Sequence, residues 1–194
     1  MSKVVFNTSM SLDGFMTASK RTAEAPLGAG GERLHAWATG SGDARDRAVI
    51  ERSFQGVTAM ITGRTTYDDS VPWWGADGPV GAARTPVFVV THEAPADPPE
   101  NSVYTFVTDG IERALEQAKA AADGGIIAMG GGSIGRQFIE AGLVDEINIS
   151  LVPVLFGGGI SMFGGLEDRH VELETIEVIH SANAIHMRFK VVRG

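Results

Sequence analysis

At 194 residues, the chain is long enough for one domain with a sizeable hydrophobic core, and its 43% hydrophobic and 21% charged residues exclude a disordered protein. Its net charge of −8 argues against nucleic-acid or anionic-membrane binding, because both require a basic face. The absence of cysteine excludes disulfides, thiolate metal sites and cysteine nucleophiles, and without a signal-like or membrane-spanning apolar run we expect a cytoplasmic protein.

The predicted elements begin with a strand at Val4–Met10, which ends in the turn sequence SLDG at residues 11–14. A glycine-rich stretch follows at residues 25–42, with a short possible helix near 32–37. Because structureless loops of this length are uncommon in compact domains, we interpret it as a long functional loop or lid.

A helix is predicted next in SGDARDRAVIERSF, with Ser41 and Asp43 as N-cap candidates and with an apolar face formed by Ala48, Ile50 and Phe54. Two short apolar strands follow in VTAMITGRTTYDD and TPVFVVTH, separated by a loop in VPWWGADGPVGAART. A strand in YTFVT and a helix of strong helix formers in GIERALEQAKAAADGG come after them.

The C-terminal third opens with a buried strand and a glycine turn in IIAMGGGSIGRQF, and continues into a long apolar strand in DEINISLVPVLF. Residues 171–192 alternate with a period of two, which predicts an antiparallel hairpin through HSANA. The face with His186, Arg188 and Lys190 is predicted to contact solvent, and the opposite face to hold Ile185, Met187, Phe189 and Val191. Together the elements predict an α/β fold with a mixed sheet, in a single domain spanning residues 1–194.

The turn of three consecutive glycines, Gly130 to Gly132, is the first candidate site. A strand–glycine–helix unit points backbone N–H groups and the positive end of a helix at one place, which suits a phosphate. Ser133 is predicted to cap this helix, and its buried face to comprise Ile134, Phe138 and Ile139. The spacing satisfies G-x-G-x-x-G, but no acidic residue follows about 20 positions on and no Gly-Lys-Ser/Thr is present. A standard Rossmann fold and a P-loop are therefore rejected.

A second turn repeats the same design, because MITGRTTYDD runs from a strand through Gly63 into the start of a helix. Arg64, Thr65 and Thr66 lie at that start, where a guanidinium, hydroxyls and free N–H groups favour a phosphate monoester. Thr91 follows the next strand and is expected beside them. One cofactor with two separated phosphate groups would use both turns.

In this order, SLDG, GRTTYD and GGGSIGRQFIEAGLVDEINISLVPVLFGGG resemble the dihydrofolate reductase fold, and more particularly the reductase (C-terminal) domain of the bacterial bifunctional riboflavin-biosynthesis deaminase-reductase. The resemblance implies a three-layer αβα sandwich with a mixed, mostly parallel sheet and a C-terminal antiparallel hairpin. It implies NADPH as cofactor, a homodimer, and hydride transfer to a small heterocyclic or carbonyl/imine substrate of the 5-amino-6-(5-phosphoribosylamino)uracil type. The deaminase half is not expected, since its zinc site needs cysteine.

The resemblance also implies roles for individual residues. The adenosine 2′-phosphate side of NADPH would meet Gly63, Arg64, Thr65 and Thr66, with Thr91 nearby. The pyrophosphate would lie against Gly130, Gly131, Gly132, Ser133, Ile134 and Gly135. The nicotinamide and substrate would be bordered by Asp13 and Gly14, with Asp13 or a water relaying the proton, and further substrate contacts are expected from Trp74 and Phe156. The five histidines are scattered, so no metal site is expected.

Several alternatives stay open at this point. A dihydrofolate or pteridine reductase would use a carboxylate early in the first helix, where Asp43 and Asp46 lie, although these residues also suit a helix cap and a solvated first-turn charge. A non-catalytic NADP-binding protein would keep the turns without a substrate pocket, and a flavin would be a different cofactor. Asp13 also suits an ordinary Asp-Gly turn. Gly157 to Gly159 suit a wide β-turn as well as a surface that faces substrate or a dimer partner.

Overall fold

The computed structural model describes residues 2–40, 42–166 and 170–193. The chain divides into two compact units. The first comprises the described residues up to Val5 together with Gly56–Leu143, and the second comprises Phe6–Gln55 together with the described residues from Val144 onward. The strand β1 (Lys3–Ser11) contributes to both units. That the whole chain acts as a single domain stays a prediction.

The first unit contains the start of β1 and, in chain order, β2 (Val57–Gly63), α3 (Arg64–Trp74), β3 (Val87–Val90), β4 (Tyr104–Val107), α4 (Ile111–Ala122), β5 (Ile126–Met129) and α5 (Gly132–Glu140). Two 3-10 turns, Gly75–Asp77 and Gly81–Ala83, lie between α3 and β3. The strands are ordered β4-β3-β2-β5 with the start of β1 beyond β5, and the pairings of β2 with β3, β2 with β5, and β3 with β4 are parallel. Parallel neighbours end at the same edge of a sheet, so the turns that follow β2, β3 and β5 are neighbours.

The sequence of α4 explains why this segment is helical. Its residues are mostly strong helix formers, and its buried face comprises Ile111, Ala114, Leu115, Ala118 and Ala122. It ends where Asp123 adopts a left-handed backbone conformation and two glycines follow.

The helix α3 extends further than the sequence predicted. Residues 71–74, interpreted as the start of a loop, form its last turn even though Pro72 lies inside the helix. A helical proline loses one backbone hydrogen bond. Packing compensates, because Val71 and Trp74 lie against a buried cluster that includes Tyr67, Val89 and Tyr104.

The second unit contains the rest of β1 and, in chain order, a 3-10 turn (Gly31–His35), α1 (Ala36–Thr39), α2 (Ala44–Phe54), β6 (Glu146–Val152), β7 (Leu173–His180) and β8 (Ile185–Val191). Its strands are ordered β1-β6-β8-β7, and β8 is antiparallel to both β6 and β7. The strand predicted through residue 156 ends at Val152, immediately before Pro153, which has no N–H to donate to a strand ladder.

The prediction that the His186 face of β8 contacts solvent holds for Lys190, whose side chain is 64% exposed, but it is wrong for His186. His186 is only 4% exposed and bonds to α2, while Arg188 forms ion pairs with Glu146 and Glu177. The opposite, apolar face of β8 and of the edge strand β7 is less covered by other elements. On this face Ile185 is 36% exposed and Val178 of β7 is 57% exposed. Period-two alternation separates the two faces of a strand, but it does not say which face another element will cover.

The buried face predicted for α2 is also wrong. Ala48 and Phe54 are exposed, and the buried residues of the helix are Asp46 and Val49. Asp43 is the N-cap, as predicted, because its carboxylate accepts a hydrogen bond from the Arg45 N–H at 2.9 Å. Ser41, the other cap candidate, lies outside the described residues. An apolar-only criterion missed this face because one of its two buried side chains is a carboxylate.

The predicted α/β class, with parallel strand pairs and a C-terminal antiparallel hairpin, is confirmed. The long loop 25–42 contains the short helical segments expected near residues 32–37. None of the helices in the described ranges has the length and apolar character needed to cross a membrane.

Candidate functional site

The two glycine turns lie side by side in the first unit. β2 and β5 are parallel neighbours with Ile61 opposite Met129, so the turns that follow them leave the sheet at the same edge. The Thr62 hydroxyl donates to the carbonyl of Gly130 at 3.4 Å, which links the end of one strand to the turn after the other. The two turns therefore begin at the same edge of the sheet, and their use by one cofactor stays a prediction.

The glycines let these turns touch. Gly131 has φ of 103°, and a Cβ there would lie 2.7 Å from the Thr66 Oγ1. A Cβ on Gly63 would lie 2.7 Å from the Ile134 Cγ1. Each turn therefore packs against the first residues of the other turn's helix. A larger residue at either glycine would force the neighbouring side chain or the helix start to shift.

Both helices begin without a side-chain cap. Gly63 is the N-cap of α3 and Gly131 is the N-cap of α5, and neither offers a side-chain acceptor. The prediction that Ser133 caps α5 is wrong, because Ser133 is the second residue of the helix and is exposed. The first N–H groups of both helices are thus left for an external acceptor, and the helix dipoles place partial positive charge there.

The predicted cradle divides into two groups of residues. The backbone amides from Gly131 to Ile134 belong to the uncapped start of α5. The Gly130 and Gly135 amides instead have backbone partners, because Gly130 N–H donates to the Ile61 carbonyl at 3.3 Å and Gly135 N–H donates to the Gly131 carbonyl at 2.8 Å. The predicted buried face of Ile134, Phe138 and Ile139 is confirmed.

Arg64 lies at the start of α3 beside the end of β3. Its Nε donates to both carboxylate oxygens of Asp68, at 2.8 and 2.9 Å, and its Nη1 donates to the carbonyl of Glu93 at 2.7 Å. The Thr91 hydroxyl donates to the same carbonyl at 2.7 Å, so Thr91 lies beside Arg64 as predicted. Thr65 is exposed on the same turn, and Thr66 lies against Gly131. A phosphate arriving here would compete with Asp68 for the guanidinium.

Asp13 lies in the second unit and is held by three donors. The Ser11 hydroxyl donates to its Oδ1 at 2.6 Å, and the backbone N–H groups of Phe156 and Gly157 donate to its Oδ2 at 3.1 and 2.7 Å. The Ser11 hydrogen bond, supported by these two N–H groups, lowers the pKa of the Asp13 carboxyl below its usual value. Asp13 is therefore an ionised carboxylate at neutral pH.

The other predicted substrate residues occupy different surroundings. Gly14 has φ of 87°, and its carbonyl accepts a hydrogen bond from Met162 N–H at 2.8 Å. Phe156 packs partly buried against a cluster that includes Leu34 and Val152. Trp74 belongs to the first unit, where it is the last residue of α3 and packs against the Tyr67 cluster. Substrate contacts for these residues stay predictions.

A buried polar chain in the second unit was missed from the sequence. The His186 Nε2 lies 2.9 Å from the Asp46 Oδ1, and its Nδ1 lies 2.9 Å from the Ser150 Oγ. Asn183 donates from Nδ2 to the other Asp46 oxygen at 3.0 Å. Trp37 packs edge-on against the His186 ring with centroids 4.7 Å apart. The members come from α1, α2, β6, β8 and a hairpin turn, so no sequence spacing could reveal the chain.

The same contacts bear on the carboxylates considered for a folate reductase. Asp43 is engaged by Arg45 and by the Ala182 N–H at 3.4 Å, and Asp46 is 1% exposed. The alternative of a solvated first-turn charge does not hold for Asp46, because Asp46 is a buried hydrogen-bond acceptor. Both carboxylates at the start of α2 are thus committed to internal partners. Within the described part of the chain, no group of three or more His, Cys, Asp or Glu side chains is placed to hold a metal ion.

Residues 2–187 match the family model of the RibD C-terminal domain. A protein from Shewanella sp. PV-4 assigned to riboflavin biosynthesis has a similar solved structure, with a TM-score of 0.73 and 24% identity over 100% of both chains. No curated protein sequence matches the chain.

Two further structures extend the likeness. A diaminohydroxyphosphoribosylaminopyrimidine deaminase/5-amino-6-(5-phosphoribosylamino)uracil reductase from Thermotoga maritima has a TM-score of 0.67 and 16% identity, covering 98% of this chain and 57% of that one. A dihydrofolate reductase from Enterococcus faecalis, complexed with NADP(H), has a TM-score of 0.59 and 14% identity, covering 97% and 96%. At these identities the likenesses establish the fold.

Proposed function

The chain belongs to the RibD C-terminal domain family, and we propose that it is an NADPH-dependent reductase that transfers hydride to a small heterocyclic or carbonyl/imine substrate. The family match confirms the predicted family and its reductase class. NADPH as the particular cofactor, and a substrate of the 5-amino-6-(5-phosphoribosylamino)uracil type, are parts of the proposal. The observation that carries it is the contact between the two uncapped turns, at Gly131 and Thr66.

The coenzyme would be held by its phosphates. The uncapped amides at the start of α5 would bind the pyrophosphate, since free N–H groups and a helix dipole favour an anion. Arg64, with Thr65 and Thr66 on the same turn, would bind the 2′-phosphate, whose charge can displace Asp68 from the guanidinium. The bound coenzyme supplies the hydride, so the protein's work is binding, orientation and exclusion of water.

We propose that Asp13, Gly14 and Phe156 of the second unit contact the substrate, as the family resemblance implies, and the contact expected from Trp74 of the first unit stays a prediction. The Thermotoga protein is described as acting on a phosphoribosylamino pyrimidine, and this description supports a related heterocycle here.

The activity is tested by following NADPH absorbance with that aminopyrimidine ribosyl phosphate as substrate and with dihydrofolate as the alternative. Turnover of dihydrofolate alone would replace this substrate class with folates, and tight NADPH binding without any turnover would indicate a non-catalytic protein.

Replacing Gly131 with alanine is expected to weaken NADPH binding by about tenfold or more, because strained backbone of this kind costs roughly 1–3 kcal/mol. The new Cβ would also lie 2.7 Å from Thr66 Oγ1 and separate the two turns. The measurement is the ligand-induced rise in melting temperature with NADPH, NADH and FMN, since a ligand that binds the native state stabilises it.

The matched control is Gly40→Ala, where the backbone is extended and a Cβ meets nothing within 4 Å. It should leave the NADPH-induced shift unchanged. If Gly131→Ala behaves like Gly40→Ala, the two turns do not form the coenzyme site. A stabilisation by FMN but not by NADPH would change the cofactor.

We also propose a homodimer, as the resemblance implies, formed through the apolar face of β7 and β8. Val178 and Leu173 of β7 are 57% and 41% exposed, and Ile185 of β8 continues the same face. Exposed apolar side chains on one face of a sheet support an association site there. Val178→Lys is expected to shift the protein from dimer to monomer in sedimentation equilibrium, because a lysine charge would be buried in the interface.

The control for this variant is Glu174→Lys on the opposite face of the same strand, where the side chain is 67% exposed and pairs with Lys190. It should leave the mass of the particle unchanged. A wild-type protein that sediments as a monomer at all concentrations would contradict the homodimer.

A further inference from the structure

We infer that Asp13 is a positioning residue for the proposed reductase: its carboxylate fixes loop 155–159, which presents an apolar edge to the planar heterocyclic substrate. The inference rests on the proposed function and changes the role expected for Asp13 from proton relay to loop clamp. It depends on the hydrogen bonds of the carboxylate, the pairing of two chain segments, and the side chains that they display.

The carboxylate joins two segments that are far apart in the sequence. Its acceptors are filled by the Ser11 hydroxyl on one side and by the Phe156 and Gly157 N–H groups on the other. Ser11 is fully buried, and its Oγ also accepts a hydrogen bond from the Phe15 N–H at 2.9 Å. The Asp13 side chain thus closes its own turn and ties that turn to the loop after β6.

Backbone pairing continues beyond the carboxylate. Met16 N–H donates to the Ile160 carbonyl at 2.8 Å, Met162 N–H donates to the Gly14 carbonyl at 2.8 Å, and Phe15 pairs with Ser161 in an antiparallel bridge. The Thr17 hydroxyl accepts from the Ile160 N–H at 3.1 Å. Segments 13–17 and 156–162 therefore form one packed structure, with Asp13 at one end and Thr17 at the other.

The second run of glycines is explained by this pairing. A Cβ on Gly159 would overlap the Thr17 carbonyl oxygen, and a Cβ on Gly158 would lie 2.8 Å from the Ser19 Oγ. These glycines permit a close approach to the chain's own loop. The glycines allow the loop to pack closely against residues 17–19 within the second unit, and hydrogen bonds to segment 13–17 fix the position of the loop.

Two exposed leucines lie immediately before the held segments. Leu12 is 61% exposed and Leu155 is 68% exposed, and the Leu12 N–H donates to the Val154 carbonyl at 2.9 Å, so their backbones are adjacent. Large apolar side chains on a fixed backbone offer a flat contact for an aromatic or heterocyclic ring at little entropic cost. A carboxylate that keeps three donors satisfied is a poor proton donor at neutral pH, whereas it is well suited to hold the backbone beneath this contact.

The experiment compares Asp13→Asn and Asp13→Ala with wild type and with Asp97→Ala, which removes an exposed carboxylate in the first unit. Amide hydrogen exchange at Phe156 and Gly157 reads out the clamp. Steady-state kinetics with the aminopyrimidine ribosyl phosphate, the pH profile of kcat, and the NADPH-induced thermal shift read out its consequence.

We expect Asp13→Ala to speed exchange at both amides and to raise KM by about tenfold, as for the loss of hydrogen bonds to a charged group. The kcat and the NADPH shift should change by less than about threefold, and Asp13→Asn, which keeps one acceptor oxygen, should lie between Asp13→Ala and wild type. Asp97→Ala should match wild type in every measurement.

Two results would overturn the inference. The first is unchanged exchange at Phe156 and Gly157 in Asp13→Ala, which would mean that no clamp exists. The second is a large fall of kcat in Asp13→Asn with loss of one limb of the pH profile and constant KM, which would make Asp13 catalytic. If the wild-type protein neither binds NADPH nor reduces the substrate, the proposed function fails and the substrate role of the clamp is overturned with it. Amide hydrogen exchange at Phe156 and Gly157 still decides whether the clamp itself exists.

Discussion

Replacing Asp46 with alanine is expected to lower the free energy of unfolding by about 3–5 kcal/mol, the usual cost of removing one partner from a buried pair. Asp46 and His186 are 1% and 4% exposed, so solvent cannot replace the lost carboxylate. The variant leaves the His186 Nε2 and the Asn183 amide without their acceptor. The measurement is urea unfolding of wild type and variant under identical conditions.

The matched control is Asp145→Ala, which removes a carboxylate from an exposed ion pair with Arg193 in the same unit. Exposed pairs of this kind contribute about 0–1 kcal/mol. Asp46→Asn preserves the shape of the side chain and one acceptor, so it should cost less than Asp46→Ala. Equal costs for Asp46→Ala and Asp145→Ala would contradict the assignment of a buried structural pair.

A double-mutant cycle of Asp46→Ala with His186→Ala would isolate the interaction between the two side chains. Contacting residues in one hydrogen-bond network are expected to be non-additive by about 0.5–3 kcal/mol. Ser150 hydrogen-bonds to the other ring nitrogen of His186, and Asn183 hydrogen-bonds to the other carboxylate oxygen of Asp46. The interaction free energy is therefore expected to come mainly from the central Asp46–His186 contact. A strictly additive result would mean that each side chain acts through its other neighbours.

Replacing Arg64 with alanine is expected to weaken NADPH binding by about 10- to 100-fold, the equivalent of roughly 1.5–3 kcal/mol for a charge-assisted hydrogen bond. NADH lacks the 2′-phosphate, so its affinity should change by less than about threefold. The measurement is titration of each coenzyme by fluorescence or calorimetry at fixed salt concentration. Equal losses for both coenzymes would remove Arg64 from the 2′-phosphate site.

Two further variants make this experiment specific. Asp68→Asn removes the carboxylate that pairs with Arg64, so NADPH affinity is expected to stay equal or rise. Arg113→Ala removes an arginine of similar exposure from an ion pair on α4 and should affect neither coenzyme. A fall in NADPH affinity in Asp68→Asn would show that the ion pair orients Arg64 for the ligand.

The order of the elements could be predicted from the sequence because each element carries a local signal. Apolar runs predicted β2, β3 and β5, and strong helix formers predicted α4. The two glycine turns were also visible, since a glycine between a strand and a helix has few other uses. α3 is the exception, because its last turn depends on packing against Tyr67 and Tyr104 that outweighs the cost of Pro72.

The amino-acid sequence by itself determined the fold class, the family and the two turns that are the candidate coenzyme site, because those features depend on residues close together in the chain. Only the tertiary structure decided which polar side chains are buried. Asp46 and His186 looked like solvent-facing residues on their own elements, and they are buried because each finds the other across 140 positions. Asp13 similarly gains its role from N–H groups more than 140 residues away. Burial of a charge depends on its partner, and a local pattern contains no information about a distant partner.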